Sequence, residues 1–157
     1  MLAAVYLQIR GIELRVQELQ SEESRKIEIE SVSHSVNEQL AAGVTTALYT
    51  SRTVHLASGQ NFLEIGNTIM WSLCEIIRRI QLRPDYLVAK GGITSVELAR
   101  RALNVREAFV LGQIIDGVPV WRLGTEARWQ DIPYVVYPGN VGNDDALRKV
   151  VEILKGP

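Results

Sequence analysis

The sequence predicts an α/β fold: an open, mostly parallel sheet with helices on both faces and a β-hairpin near residues 108–123. Three observations carry this expectation. Short runs of strand character recur at Ile12–Gln17, Thr45–Thr50, Tyr86–Ala89 and Tyr134–Tyr137. Between them lie stretches with the 3.6-residue period of an amphipathic helix, and that alternation favours a parallel or mixed sheet covered by helices. Asp116-Gly117 then separates two apolar runs, the signal of a two-residue hairpin turn.

Taken in order, the first ten residues read as an apolar helix carrying Leu2, Val5, Tyr6 and Ile9. Ile12–Gln17 alternates apolar and polar side chains, the mark of a half-buried strand. From Ser21 the period changes: Ile29, Val32, Val36 and Leu40 fall on one helical stripe, and Gly43 is placed to stop it. Thr45–Thr50 is rich in β-formers. A loop at Ser58-Gly59 leads to the strongest helix, with Phe62, Ile65, Ile69, Leu73, Ile76 and Ile80 on one face and Arg78 and Arg79 near its end. Pro84 closes that helix, and Tyr86–Ala89 reads as a buried parallel strand. A helix from about Ser95 to Leu103 follows, then the hairpin of Phe109–Leu111 with Val118–Trp121. The chain ends on the strand Tyr134–Tyr137 and a helix from Asp144 to Leu154.

Composition narrows the function classes. The 157 residues are 46% hydrophobic and 22% charged, a globular balance that excludes a disordered or fibrous chain. Seventeen basic and eighteen acidic side chains leave a net charge of −1 with no block of one sign. Nothing there builds the positive field that nucleic acid or an anionic membrane requires. The most apolar stretch, 62–77, is interrupted by Glu64, Asn67 and Glu75, which is too polar to span a bilayer. The N-terminus lacks a basic leader and a cleavage site. A single cysteine, Cys74, excludes an internal disulfide and fits a reducing compartment, so a cytoplasmic protein is expected.

The chemistry concentrates at two glycine-rich junctions between strand and helix. In the first, Lys90-Gly91-Gly92-Ile93-Thr94-Ser95, two glycines let the chain turn sharply and leave backbone amides open to a ligand. Thr94 and Glu97 have the spacing of a capping box, which predicts a helix start at Thr94 or Ser95. First-turn amides facing the strand end suit an anion such as phosphate, and Lys90 adds a positive charge. The plainer alternative is a tight turn whose glycines only relieve strain.

The second junction, Pro138-Gly139-Asn140-Val141-Gly142, leads to a helix capped by Asn143 or Asp144. Asn140 has the donors and acceptor to meet a phosphate or a base edge. Asp144 and Asp145 either satisfy the helix dipole or hold magnesium through water; the dipole role is the commoner one. Neither loop matches the Walker lysine motif or the dinucleotide fingerprint.

These residues resemble a known family. Ala89–Ser95, Val110-Leu111-Gly112-Gln113-Ile114, Gly117–Trp121 and Pro138–Gly142, in that order, are similar to the C-terminal nucleotide-binding domain of the four-carbon acid sugar kinases. The likeness is most specific between Tyr86 and Leu147; Tyr49-Thr50-Ser51-Arg52 is similar but less distinctive. The resemblance implies an ATP-dependent kinase for acids such as threonate or erythronate, with ATP and Mg2+ as cofactors. It places nucleotide against Gly91, Gly92, Ile93 and Thr94 on one side and Gly139 and Asn140 on the other. Family members are longer, and their N-terminal domain supplies the sugar-acid site and the catalytic acid, so the catalytic residues of this chain stay unassigned. Their C-terminal domain also opens with a serine-containing loop that this chain lacks. The expectation is therefore one nucleotide-binding-type domain over 1–157, truncated at its start and inactive alone, completed by a separate sugar-acid-binding domain or by self-association into a homo-oligomer. The competing reading is a non-catalytic interaction or regulatory module that keeps the fold without the ligand.

Other reactive side chains carry less. His34 and His55 have no companions at metal-ligand spacing, and no metal site is expected. Cys74 falls in the most apolar helix, where a small buried residue is ordinary. Ser51 lacks a nucleophile-elbow context. Trp121 and Trp129 are expected to pack over the sheet edge rather than border an adenine pocket.

Overall fold

A computed structural model describes residues 9–52, 61–143 and 145–156. The chain divides into two compact units, Met1–Leu82 and Arg83–Pro157. Among the described residues, the strands fall into two sheets that are partly parallel and partly antiparallel, so the α/β class and the hairpin are observed. No helix of the described residues is long and apolar enough to cross a membrane.

In the first unit, β1 (Ile9–Leu14) pairs in parallel with β2 (Thr45–Thr50), Ile9 opposite Thr45 through Leu14 opposite Thr50. The crossover between them contains a 3-10 turn, Val16–Leu19, and helix α1 (Glu22–Ala41). β1 therefore begins and ends earlier than the alternating pattern predicts, and hydrogen bonding explains its end. The Arg15 N–H donates to the Glu28 carboxylate at 2.8 Å and the Val16 N–H to Ser51 Oγ at 2.9 Å, so neither remains for a ladder. The Ser51 N–H closes the same corner on the Leu14 carbonyl at 3.1 Å.

Helix α1 starts on a Ser21 cap and stops where the glycine predicted it would. Gly43 has φ of 69°, the Val44 N–H reaches the Gln39 carbonyl at 2.9 Å and the Gly43 N–H reaches Leu40 at 3.0 Å. Its stripe of Ile29, Val32 and Val36 is buried with Leu14, Val16 and Leu19. Helix α2 (Phe62–Arg78) opens with a capping box of Asn61 and Glu64 that the sequence reading missed. Its buried side chains are Ile65, Ser72, Cys74, Ile76, Ile77 and nearby Ile80, whereas Phe62 is 76% exposed. The predicted stripe therefore holds at Ile65, Ile76 and Ile80, with Ile69 and Leu73 half-buried, and fails only at the first turn. Asn37 ties α1 to the end of α2: its amide donates to the Arg79 carbonyl at 3.0 Å and its oxygen accepts from the Gln81 N–H at 2.7 Å. The expected N-terminal helix, His55 and the Ser58-Gly59 loop lie outside the described residues.

The second unit is a four-stranded sheet in the order β3-β6-β5-β4, with β3 Leu87–Lys90, β4 Ala108–Ile115, β5 Val118–Leu123 and β6 Pro133–Tyr137. β3 and β6 are parallel; β4, β5 and β6 are antiparallel. The hairpin turns at Asp116-Gly117, where Gly117 has φ of 76° and its N–H donates to Gln113 Oε1 at 2.8 Å. Glu126 braces the chain before β4, accepting from the Arg106 and Glu107 amides at 2.6 and 2.8 Å. Those two bonds, Glu107 first, hold its carboxyl below the usual range.

Alternation along β6 places helices on both faces of this sheet. Tyr134 and its register partner Trp121 stack at 6.1 Å on one face, where Tyr134 Oη donates to the Ser95 carbonyl of α3 (Gly92–Glu97) at 2.7 Å. Val135 and Tyr137 point the other way and pack with Ala146 and Val150 of α4 (Ala146–Lys155). Trp129 is 4% exposed and Trp121 half-buried, consistent with packing roles.

Two predicted caps differ in the structure. α3 begins at Gly92 on a Gly91 cap, and Glu97 pairs with Arg101 at 2.5 Å instead of reaching back to Thr94. The positive φ of Gly91, 103°, turns the chain out of the strand and caps the helix three residues before the Thr94 box would have acted. α3 runs on through a π-helical turn, Leu98–Ala102. α4 begins at Ala146, with Asp145 in the cap position making no side-chain capping bond. Asn143 instead closes the preceding turn, its side chain accepting from the Asp145 N–H at 3.2 Å. Asp144 lies outside the described residues.

Two stability predictions follow from these contacts. Glu28 is 2% exposed and receives the Arg15 guanidinium at 2.5 Å, while the Arg15 side chain is 58% exposed. Arg15→Ala leaves the buried carboxylate held only by the backbone N–H at position 15 and is expected to cost about 2–3 kcal/mol, below the figure for a fully buried pair because that amide remains and the guanidinium is screened by water. Glu28→Gln keeps an acceptor for the Arg15 amide and should cost less; urea denaturation that ranks the two the other way contradicts this account. Gly142 has φ of 85°, and a Cβ there would lie 2.4 Å from Tyr137 Oη and 2.5 Å from the Ala146 Cβ. Gly142→Ala combines backbone strain with overpacking and should lower stability by about 2–4 kcal/mol, read as a fall in the thermal midpoint.

Candidate functional site

Two parallel strands with a common direction bring their carboxyl ends together, and β3 and β6 end in the two glycine junctions. Lys90 is paired with Tyr137, the last residues of their strands. One residue on, the Gly91 N–H donates to the Tyr137 carbonyl at 2.7 Å, so the sheet bond pattern continues into the loops. Gly91, Gly92, Ile93 and Thr94 thus stand beside Pro138, Gly139 and Asn140.

The first junction is held rigidly from beneath. Ser95 is fully buried; its hydroxyl reaches the Ala89 and Gly91 carbonyls at 2.8 and 2.7 Å, and its N–H makes the first helical bond to Gly91 at 2.9 Å. The amides of Gly92, Ile93 and Thr94 precede that bond and have no intrahelical acceptor. Gly92 is exposed and Ile93 is 79% exposed. A Cβ on Gly92 would meet nothing within 4 Å. Gly91, with its positive φ, is the residue that requires glycine for the turn; Gly92 leaves open space.

The second junction folds back over Tyr137, which is 2% exposed. Gly142 makes the close approach, and Val141 packs into the core beside the hairpin turn, 3.4 Å from where a Cβ of Gly117 would stand. Gly139 and Asn140 are exposed, and a Cβ on Gly139 would also meet nothing within 4 Å. Lys90 joins the two loops: its ammonium lies 4.5 Å from the Tyr137 ring centre and 3.5 Å from the Gly139 carbonyl oxygen.

Sequence reasoning placed Ser95, Tyr134, Tyr137 and Gly142 in the two junctions and their strands but did not assign them their role as the supports of this site. Only the unbroken apolar run Tyr134-Val135-Val136-Tyr137 along β6 hinted that both sheet faces were loaded. Other flagged groups lie elsewhere. Asp145 is exposed and sits 3.5 Å from Arg148. Among the described residues no group of three or more His, Cys, Asp or Glu could hold a metal. His34 pairs with Glu38 at 3.4 Å beside a groove of about 440 Å3 in the first unit, bordered also by Asn37 and Arg79. Cys74 is buried and in no disulfide, and Ser51 is spent on the corner between β1 and β2.

Known structures share this fold. A domain of unknown function from Bordetella bronchiseptica, crystallised with citrate as a domain-swapped dimer, superposes with a TM-score of 0.68 at 15% identity, over 94% of this chain and 35% of its own. A second crystal form of it gives 0.62 at 15% identity, over 94% and 33%. A protein of Salmonella typhimurium LT2, described as a proposed tRNA synthase, gives 0.68 at 17% identity, over 90% and 34%. The chain thus spans about a third of the length of these proteins. No curated protein matches it. The model of the nucleotide-binding C-terminal domain family, however, matches residues 2–147, nearly the whole chain, and the protein belongs to that family.

Proposed function

We propose that the chain binds ATP or ADP where its two glycine junctions meet, as the nucleotide domain of a four-carbon sugar-acid kinase. The observation that carries the reading is the pairing of β3 with β6, which sets Gly91–Thr94 beside Gly139 and Asn140 at the carboxyl ends of parallel strands, the usual place for a ligand in such sheets. The open faces of Gly92 and Gly139 suit a phosphate approaching bare backbone. When bound, the nucleotide supplies the transferable phosphoryl group. This chain's part is to grip the phosphates with its loop amides and Lys90 and to orient them. Mg2+ would come with the nucleotide and supply charge neutralisation at the phosphates, since that ion needs few protein carboxylates. The sugar acid and the acceptor chemistry belong to a separate domain; that division, like the choice of a four-carbon acid, rests on the family resemblance. A cytoplasmic setting is part of the same reading.

A second reading has its own observation. β4 is the end strand of its sheet, and Phe109, Val110 and Leu111 are 54%, 70% and 59% exposed. An apolar edge of this kind invites another strand. We propose that a second copy of the chain pairs there to form a homodimer; the domain swapping described for the Bordetella protein lends support. If nucleotide binding has been lost, this edge is what an interaction module would use.

Titration of the chain with Mg-ADP or Mg-ATP is expected to shift amide resonances at Gly91–Thr94 and Gly139–Asn140, with Kd near the millimolar range, about −4 kcal/mol. Gly92→Val should keep the fold and lose the binding, because its side chain enters the open space without a clash. No shift at either loop leaves only the interaction module. ATP-dependent phosphorylation of threonate or erythronate by the chain alone would contradict the proposed division of labour, since positioning is most of phosphoryl-transfer catalysis. Light scattering after size exclusion should report a dimer that Val110→Lys dissociates. A monomer at high micromolar concentration argues against edge pairing.

A further inference from the structure

We propose that Lys90 is the residue by which this site distinguishes a phosphorylated nucleotide from the bare nucleoside. The inference deepens the nucleotide reading and rests on it. Lys90 is the last residue of β3, so the strand pairing that aligns the two junctions also delivers its ammonium between them. The ammonium sits over the Tyr137 ring and near the Gly139 carbonyl, two neutral groups that orient a cation without cancelling its charge. No carboxylate pairs with it among the described residues, whereas Glu75, Glu97 and Asp145 each hold an arginine.

Its side chain is exposed, which leaves the ammonium free to move from the carbonyl to a ligand. Tyr137 underneath is buried by the fold-back at Gly142, so the platform that steers Lys90 stays in place when the ammonium moves. A cation with no carboxylate partner among the described residues, flanked by exposed glycine backbone, attracts a compact, highly charged anion above all else. Of the parts of a nucleotide, only the phosphates have that character; the base and ribose gain nothing from it.

Calorimetric titration of the full chain with Mg-ADP, Mg-ATP and adenosine, repeated on Lys90→Gln and Lys90→Arg, tests this. Lys90→Gln should weaken ADP and ATP about tenfold, the low end for a charged hydrogen bond in an exposed site. It should leave adenosine affinity and the thermal midpoint unchanged. Lys90→Arg should restore most of the loss, and the wild-type preference for ADP over adenosine should shrink as salt rises. If Lys90→Gln binds ADP as tightly as the parent, the role of Lys90 is wrong and the nucleotide reading stands. Equal weakening of ADP and adenosine overturns it too, since the residue would then only shape the loop. A wild-type chain that binds neither ligand overturns the nucleotide reading and Lys90 with it.

Discussion

The parallel pairing of β3 with β6 governs everything at the candidate site. Two strands running the same way deliver their following loops to the same edge, and the Lys90–Tyr137 register sets those loops level. Had the pairing slipped by one residue, the side chains of β6 would exchange faces. Tyr134 would leave the Ser95 carbonyl, and Val135 and Tyr137 would leave α4. Both helices therefore enforce the register that aligns the junctions. The core of this unit and the geometry of its site are one constraint seen from two sides.

The glycines divide according to the same logic. Gly91 and Gly142 adopt positive φ, and Gly142 also lies where no side chain fits. They build the loops. Gly92 and Gly139 face open space, so the fold does not require them to be glycine. A loop made only to turn needs residues of the first kind. Under the proposed function, Gly92 and Gly139 are where a phosphate would approach bare backbone.

In the first unit the decisive contacts are polar. Glu28 gathers the Arg15 amide and guanidinium, Ser51 takes the Val16 amide, and Asn37 joins the ends of α1 and α2. Each satisfies backbone that the strand or helix has just released, which is why these elements end where they do. None of these residues lies on an apolar stripe, and hydrophobic periodicity is silent about them.

What the sequence determined by itself is local. Thr45–Thr50 is a strand as read, the Asp116-Gly117 hairpin forms at its turn, and Gly43 stops α1 through a positive φ. These depend on side chains within a few residues of one another, so short-range pattern suffices. Both glycine junctions were legible for the same reason. That they meet was implied by the family resemblance and by the habit of open α/β sheets, not by any local pattern, because it depends on β3 choosing β6, a partner more than forty residues away across the hairpin. The same distance hid the start of α3, where Gly91 bonded to Tyr137 overrides the Thr94–Glu97 capping box. Tertiary pairing decided these points because a backbone amide takes whichever acceptor the assembled sheet presents, and no local pattern names an acceptor on another strand.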